Sequence, residues 1–354
     1  MLNKEIKMSK ISKISSCVLF VDMPNLGGGT TFFVNSIISR YSPQTTFLIA
    51  RNFNKKIQLS INNDVLDKTY TSSEINKLLD QIKSKISFIF VNHIIKHYKS
   101  FLQKLFKLGK RVVTITHDYL LLFKYPQFTF EEYLSKKFSI DYPLQTKVNI
   151  NQFDAIITQN MRNMVIYHKY MNENTKKKVI VFDLPDYTKS LKKIVIPKRE
   201  VIKVGILGNI SYIKGSLIVK EFIEKTRNTN IQLVVFGKLE DSDYPYQYPY
   251  NGISHLNRLI TELKPNILIE TSIWPETYSY TLTLGMLTRL PIISYKKPIP
   301  SVVSERLSHY QKSHECKTVK EMIEKVKMYH QHYVYTIDPD SFKFGKNWDN
   351  LFIL

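Results

Sequence analysis

The chain has only two cysteines among its 354 residues, Cys17 and Cys316, far apart and without a Cys or His partner at metal-ligand spacing. That excludes a disulfide framework and a zinc module, and it suits a reducing compartment. No run of about 18 or more apolar residues occurs, so a transmembrane helix is not supported. No internal repeat is evident, and 43% hydrophobic with 23% charged residues excludes collagen, coiled-coil and disordered classes. Acidic side chains are scarce: 30 Asp and Glu stand against 51 Lys and Arg, for a formal net charge of +21. Such a chain attracts anions, whether nucleic acid, anionic membrane or phosphorylated small molecules. Much of the excess is Lys beside abundant Ile, Asn and Tyr, a composition that AT-rich coding also produces, so charge alone selects no partner.

What is present reads as α/β. Short Ile- and Val-rich runs at 17–21, 46–50, 86–91, 111–116 and 154–158 alternate with longer amphipathic segments. Runs that are apolar throughout suit parallel strands covered on both faces. The basic start, with Lys4, Lys7, Lys10 and Lys13 before residues 17–21, superficially resembles a signal segment. Asp22 ends the apolar run and no small-residue cleavage site follows, so a first buried strand is expected. Residues 189–200 turn polar and Lys-rich around Pro197, and the rhythm then restarts at 201–207, with strands expected at 231–236, 267–270 and 291–295 and a helix at 216–227. Two doubly wound domains are therefore expected, at 1–195 and 196–335. Residues 318–329 and 338–353 read as helical, and the last segment, a unit of 336–354 with Trp348 and Phe352, is expected to pack back on the domains. Ligands in such sheets bind beyond the carboxyl ends of the strands, and two domains presenting those ends to each other would make a central cleft.

The chemistry-bearing residues should then follow strands. After the first strand comes Pro24-Asn25-Leu26-Gly27-Gly28-Gly29-Thr30-Thr31. Its glycines permit close backbone approach, and the helix start that follows offers N–H groups to an anion or a sugar hydroxyl. It is neither a Walker A loop nor a G-x-G-x-x-G fingerprint, and a turn needing glycine only for geometry is the alternative. His117, in Thr116-His117-Asp118-Tyr119, would sit at a strand end where it can bond a substrate hydroxyl with Asp118 orienting it, or equally serve as a structural histidine. Asn92-His93 occupies the equivalent place one strand earlier. In the second half, Gly208-Asn209 leads to Lys214-Gly215 just before a helix, where a lysine can pair with a phosphate, though a lone lysine there is ordinarily solvated surface. Trp274-Pro275-Glu276-Thr277-Tyr278-Ser279-Tyr280-Thr281-Leu282 then sets Glu276 beside a helix expected to begin near Ser279. A diphosphate could be held there by backbone N–H groups while the carboxylate binds sugar hydroxyls. Otherwise Glu276 only complements the helix dipole.

These ordered motifs resemble the retaining glycosyltransferases of family 4, with the two-domain GT-B fold: two doubly wound Rossmann-like domains facing a central cleft. The resemblance spans essentially the whole chain, and the Trp274–Leu282 stretch is its most specific part. It implies an acceptor-side first domain and a nucleotide-sugar donor domain second. It implies that Glu276 contacts the transferred sugar and Lys214 stabilises the departing diphosphate. Asn209, Ser279, Tyr280 and Thr281 fall in the donor and phosphate-binding segments, with N–H groups around Tyr280 and Thr281 on phosphate oxygens. His117 matches a histidine near the sugar, and Gly28 and Gly29 match the turn approaching the donor phosphates or the acceptor. No metal or other cofactor is implied, so charge on the leaving nucleotide must be met by Lys and backbone dipoles.

The sequence departs from the family pattern in several places. Leu284 stands where a second Glu would bind the ribose, and Asn209 replaces an Arg of the phosphate loop. Arg289 stands where a Gly usually precedes Leu290-Pro291, and Lys296-Lys297-Pro298 replaces a glycine-rich turn, so either lysine could substitute for the missing cation. The function implied is transfer of a hexose from a UDP- or GDP-sugar to a hydroxyl of a glycan, lipid-linked or protein acceptor. The expected setting is cytoplasmic, with peripheral contact to an anionic membrane within reach of the basic charge. Alternatives are a noncatalytic nucleotide-sugar-binding relative and a basic nucleic-acid-binding protein. Nucleic acid is not an expected partner, because no RNP-type motif, zinc module or basic helix occurs and the lysines are dispersed.

Overall fold

A computed structural model describes residues 10–23, 28–53, 55–123, 127, 129, 131–132, 148–182, 186–187, 190–196, 200–298, 301–329, 333–337, 342–343 and 346–353. Pro24 to Gly27, the first half of the glycine-rich turn, and Lys4, Lys7, Lys189 and Pro197 lie outside the described residues. The chain divides into two compact units: Met1–Pro126 with Phe138–Leu184 and Phe344–Leu354, and Gln127–Lys137 with Pro185–Lys343.

The first unit is built on β1 (Cys17–Asp22), β2 (Phe47–Phe53), β3 (Lys56–Ile61), β4 (Asp64–Tyr70), β5 (Ile86–Val91), β6 (Val112–Ile115), β7 (Ala155–Thr158) and β8 (Val179–Val181), in sheet order β4-β3-β2-β1-β5-β6-β7-β8. The pairs from β2 through β1 to β8 are parallel, and β1 and β6 are buried at every residue, the pattern read from their apolar runs. The β3–β4 hairpin, which the sequence did not suggest, extends the sheet antiparallel from β2. Its turn uses Asn62 at φ 53°, the left-handed region that Asn tolerates. The helix Gly28–Tyr41 follows β1 directly, with Phe33, Val34, Ile37 and Ile38 buried. A helix over Lys346–Phe352 closes this unit: Trp348 lies 5.4 Å from Phe33 and 4.9 Å from Phe182, and Phe352 lies 5.3 Å from Phe90, ring centre to ring centre.

The second unit carries β11 (Ile202–Leu207), β12 (Ile231–Phe236), β13 (Ile267–Glu270), β14 (Ile292–Tyr295) and β15 (Ser313–Cys316), all parallel, in order β12-β11-β13-β14-β15. Helices Ser216–Thr226 and Val319–Lys327 bury Val219, Phe222, Met322 and Val326 on one face, and Leu256, Ile260, Leu282, Val303 and Leu307 cover the other. The sheet is thus wound on both sides. Before it, β9 (Asp186–Tyr187) and β10 (Ser190–Val195) pair antiparallel with β17 (Phe342–Lys343) and β16 (Tyr333–Ile337) respectively. The Lys-rich stretch expected as a boundary at 195/196 therefore contains a strand of the second unit. Residues 336 and 337 end its partner strand and 342–343 form β17, so the terminal helix expected over 338–353 is confined, among the described residues, to Lys346–Phe352.

Cys17 and Cys316 are buried free thiols, one in each unit, and burial pushes both up to about 11. Among the described residues no helix is long and apolar enough to cross a membrane, and no group of three or more His, Cys, Asp or Glu is placed to hold a metal ion.

Candidate functional site

The strand order of the second sheet sets β11 between β12 and β13, so the crossovers from β11 and β12 run to opposite sides. The carboxyl ends of β11 and β13 flank that switch point, where open α/β sheets bind ligands. An open pocket lies there, walled by Leu207, Lys214, Glu270, Ser272, Glu276 and Thr281.

Two loops carry its charge. Residues 212–214 form a short 3-10 turn, and Gly215 follows at φ 82° as N-cap of the helix Ser216–Thr226. A Cβ added at Gly215 would lie 2.1 Å from the Thr271 carbonyl oxygen, so only glycine lets the loops approach. Thr271 Oγ1 donates to the Lys214 carbonyl at 2.7 Å, and the Ile273 N–H donates to the Ile213 carbonyl at 2.9 Å. This stitching brings Lys214 Nζ to 2.5 Å from Glu276 Oε1. Burial opposes charge on Glu276, yet the Lys214 ammonium and hydrogen bonds from Lys214, Ser272 and Ser279 outweigh it and hold the carboxyl below its ordinary range.

Helix Tyr280–Leu287 begins beside this pair. Its N-cap Ser279 sits at φ 71° and accepts the Leu282 N–H at 3.4 Å. Arg306, from the helix Val302–Ser308, donates through Nη1 to the carbonyls of Tyr278 (2.7 Å) and Ser279 (2.9 Å) and through Nη2 to Thr283 Oγ1 (2.5 Å), and its guanidinium lies 4.4 Å from the Tyr278 ring centre. A trans peptide points its N–H opposite its C=O. Gripping those two carbonyls therefore turns the N–H groups of Ser279 and Tyr280 away from Arg306, which adds to the positive end of the helix. Gly208 lets β11 approach the same helix start, since a Cβ there would lie 2.8 Å from Thr281 Cγ2.

Lys214, Glu276 and Thr281 thus share one pocket, with Ser279 and Tyr280 adjoining in sequence. Asn209 is exposed and is not among the pocket's lining residues. Leu284 packs against the core beneath the sheet, the place of a hydrophobic side chain and not of a ribose ligand. Lys297 is buried against Glu270 at 2.8 Å and so is not an unpaired cation, whereas Lys296 is exposed. Arg306 carried no local signal in sequence, because the carbonyls it grips lie 27 and 28 positions away.

His117, Gly28 and Gly29 belong to the first unit. Gly28 and Gly29 open the helix after β1. His117 lines a second pocket with Asn92, His93, Thr114 and Asp118. Its protonation follows from a chain of hydrogen bonds: Asp22 accepts from Arg51 Nε at 2.9 Å and from Asn92 Nδ2 at 2.8 Å, which turns Asn92 Oδ1 toward His117 Nε2 at 2.7 Å. His117 therefore carries its proton on Nε2, and Nδ1 accepts from Gln159 Nε2 at 3.2 Å. Burial pushes His117 down to about 3, with the neighbouring His93 adding to the effect and Asp118 opposing it. Asn92 and Gln159 orient His117. Asp118, expected in that role, engages His93 Nε2 at 3.0 Å, while His93 Nδ1 accepts the Ile95 N–H.

No protein-family model and no curated relative matches the chain. Among solved structures it is similar to the apo form of the lipopolysaccharide outer core galactosyltransferase WaaB, at TM-score 0.50 and 12% identity over 89% of this chain and 95% of that one. It is likewise similar to the catalytic domain of starch synthase IV from Arabidopsis thaliana, at TM-score 0.51 and 10% identity over 96% and 94%. A third likeness is to the GtfA/B complex, at TM-score 0.50 and 9% identity over 88% and 92%. At these identities the likeness is one of fold: the chain has the GT-B fold.

Proposed function

We propose that the chain is a glycosyltransferase that moves a hexose from a UDP- or GDP-sugar to a hydroxyl of a glycan, glycolipid or glycoprotein, with retention of anomeric configuration and without a metal. The observation that carries this reading is the Lys214–Glu276 pair at the start of the helix Tyr280–Leu287, inside the switch-point pocket of a GT-B chain. Support also comes from the starch synthase catalytic domain, whose structure holds ADP and acarbose.

In this reading the leaving diphosphate lies against the helix start, where backbone N–H groups around Tyr280 and Thr281 meet its oxygens. Lys214 has three N–H donors, of which Glu276 takes one, leaving capacity for a phosphate oxygen. Glu276, ionised and fixed by Ser272 and Ser279, receives hydroxyls of the transferred sugar. These charges are in place before reaction, so little reorganisation is needed as negative charge develops on the leaving group. The roles that the family resemblance implies for His117, near the transferred sugar, and for Gly28 and Gly29, at the donor phosphates or the acceptor, belong to the same reading. A lipid-linked acceptor would be met at an anionic membrane surface, to which the net charge of +21 biases the protein.

The test is release of nucleoside diphosphate from a panel of UDP- and GDP-sugars, with and without pooled acceptors. Release from one donor that Glu276→Gln abolishes is expected. Turnover undiminished in Glu276→Gln would remove the site assignment, and a wild-type protein that neither binds nor turns over any donor would remove the reading.

A further inference from the structure

A second ion pair, whose carboxylate lines the same pocket, has no part in the roles given above. Glu270 is the last residue of β13, and Lys297 reaches it from just beyond β14, Nζ to Oε2 at 2.8 Å. The Lys297 side chain is 1% exposed, and its three N–H groups face Glu270 Oε2, the Tyr295 carbonyl at 2.8 Å and Ser294 Oγ at 3.5 Å. An ammonium has only three donors, so Lys297 has none left for a phosphate. A buried pair of this kind is weak evidence of stabilisation, since apolar residues of similar volume commonly serve as well. Its presence at a pocket wall asks for another reason.

That reason is the carboxylate. Glu270 Oε1 accepts the Ser272 N–H at 3.0 Å, and Oε2 accepts from Lys297 and from Ser294 Oγ at 3.0 Å. A carboxylate has about four acceptor positions, so one lone pair of Oε1 is still open, on a residue that lines the pocket and is 12% exposed. Glu270 and Glu276 are the two carboxylates among the lining residues, and Leu284 contributes none.

We infer that Glu270 binds ligand directly: its open Oε1 lone pair accepts a hydroxyl of the sugar or ribose part of the nucleotide sugar, with Lys297 as its dedicated counter-ion. The inference rests on the function proposed above. An acceptor-only group repels phosphate and selects O–H donors, so Glu270 and Lys214 read different parts of one ligand. Ser272 joins them, giving its N–H to Glu270 and its side chain to Glu276.

Calorimetric titration of wild type, Glu270→Gln and Lys214→Met with inorganic pyrophosphate, UDP, GDP and the matching sugar nucleotides tests it. In Glu270→Gln, affinity for the hydroxyl-bearing ligand falls by about tenfold while pyrophosphate affinity stays within about twofold. Loss already seen with UDP or GDP identifies the ribose, and loss confined to the sugar nucleotide identifies the sugar. Lys214→Met weakens every probe. Because a glutamine cannot offer oxygens to both Ser272 and Lys297, the double variant Glu270→Gln/Lys297→Met is measured too. It frees the amide to keep its oxygen on Ser272, where a neutral oxygen accepts a hydroxyl more weakly than a carboxylate does, and it shows the same selective loss with a wild-type melting temperature. Equal loss of pyrophosphate and sugar nucleotide in both variants would make Glu270 a mere prop of the loop and overturn the inference, as would no loss at all. Wild-type protein that binds none of the probes overturns the proposed function and this inference together, whereas wild-type binding left intact in Glu270→Gln overturns this inference alone.

Discussion

Lys214 and Glu276 touch at 2.5 Å across 62 positions of sequence, and they stand unequally toward water: the Glu276 side chain is 3% exposed and that of Lys214 27%. Removing one partner therefore differs from removing the other. Lys214→Met strands a buried carboxylate without its counter-charge, which costs about 3–5 kcal/mol. Glu276→Gln leaves an ammonium that can turn to solvent and an amide that can still bond Ser272 and Ser279, at about 1 kcal/mol. Urea unfolding of the two variants should show that order. Both should lower turnover on the donor by about a hundredfold or more, since each removes preorganised charge.

Arg306 holds the turn that aims the helix start, and a loop with Ser279 at φ 71° does not keep that shape unaided. Arg306→Gln should cost about 1–3 kcal/mol through the lost charged hydrogen bonds. It should also weaken nucleoside diphosphate binding by about tenfold, because the carbonyls of Tyr278 and Ser279 are then released. Arg306→Lys restores charge without the planar fork and should recover stability more than binding. Ser279→Gly relieves the backbone strain but removes both the long 3.4 Å cap and the hydroxyl bonded to the Glu276 carboxylate, so its stability should fall by about 1 kcal/mol. Equal binding by Arg306→Gln and wild type would show that the turn holds itself.

What the sequence disclosed follows from how local the information is. The strands 17–22, 202–207 and 231–236 are legible because each carries an unbroken run of at least four apolar residues or glycine, and the helix start at Ser279 because cap, loop and carboxylate are contiguous. Lys297 was open to reading as a spare cation because nothing near it in sequence announces Glu270, 27 positions earlier. Asp118 was expected beside its neighbour His117, yet the backbone sends its carboxylate to His93, 25 positions back. The hairpin at 56–70 is legible only in part, because Lys56–Ile61 alternates polar and apolar residues whereas Asp64–Tyr70 does not, and β10 finds its partner only at 333–337. Long-range pairing carries no mark on either segment alone.

Glycine is required to different degrees at three positions with positive φ. At Gly252 (φ 76°) an added Cβ meets nothing within 4 Å, so Gly252→Ala costs only the backbone term, about 1–2 kcal/mol. At Gly208 it would lie 2.8 Å from a Thr281 methyl that can turn aside, which adds about 1 kcal/mol. At Gly215 it would lie 2.1 Å from the backbone oxygen of Thr271, which cannot move without parting the two loops that pair Lys214 with Glu276. Thermal unfolding should rank the three alanine variants in that order, and Gly215→Ala should also lose turnover out of proportion to its stability. Activity in Gly215→Ala equal to that of Gly252→Ala would show that the pair survives separation of the loops.

The first unit should be acid-labile through two neutral histidines. Burial pushes His117 down to about 3 and His97 down to about 4 from an ordinary 6.5. Each binds its proton near 6.5 when unfolded and resists it when folded, so between those values the unfolded chain holds more protons and stability rises with pH. The contribution is complete above about pH 6.5 and is lost as pH falls, at up to about 1.4 kcal/mol per pH unit for each histidine. For His97 the loss levels off near 4, and for His117 near 3. His97 donates through Nε2 to the Asp22 carbonyl at 2.7 Å, and its buried Nδ1 has no partner among the described residues. Glutamine can keep that bond without titrating, so His97→Gln should flatten the fall in stability between about pH 6 and pH 4.5 by close to one proton. His117→Gln should do the same over a range extending lower. Chemical denaturation at several pH values measures both slopes, and a slope unchanged in His97→Gln would mean that the histidine is already protonated in the folded unit.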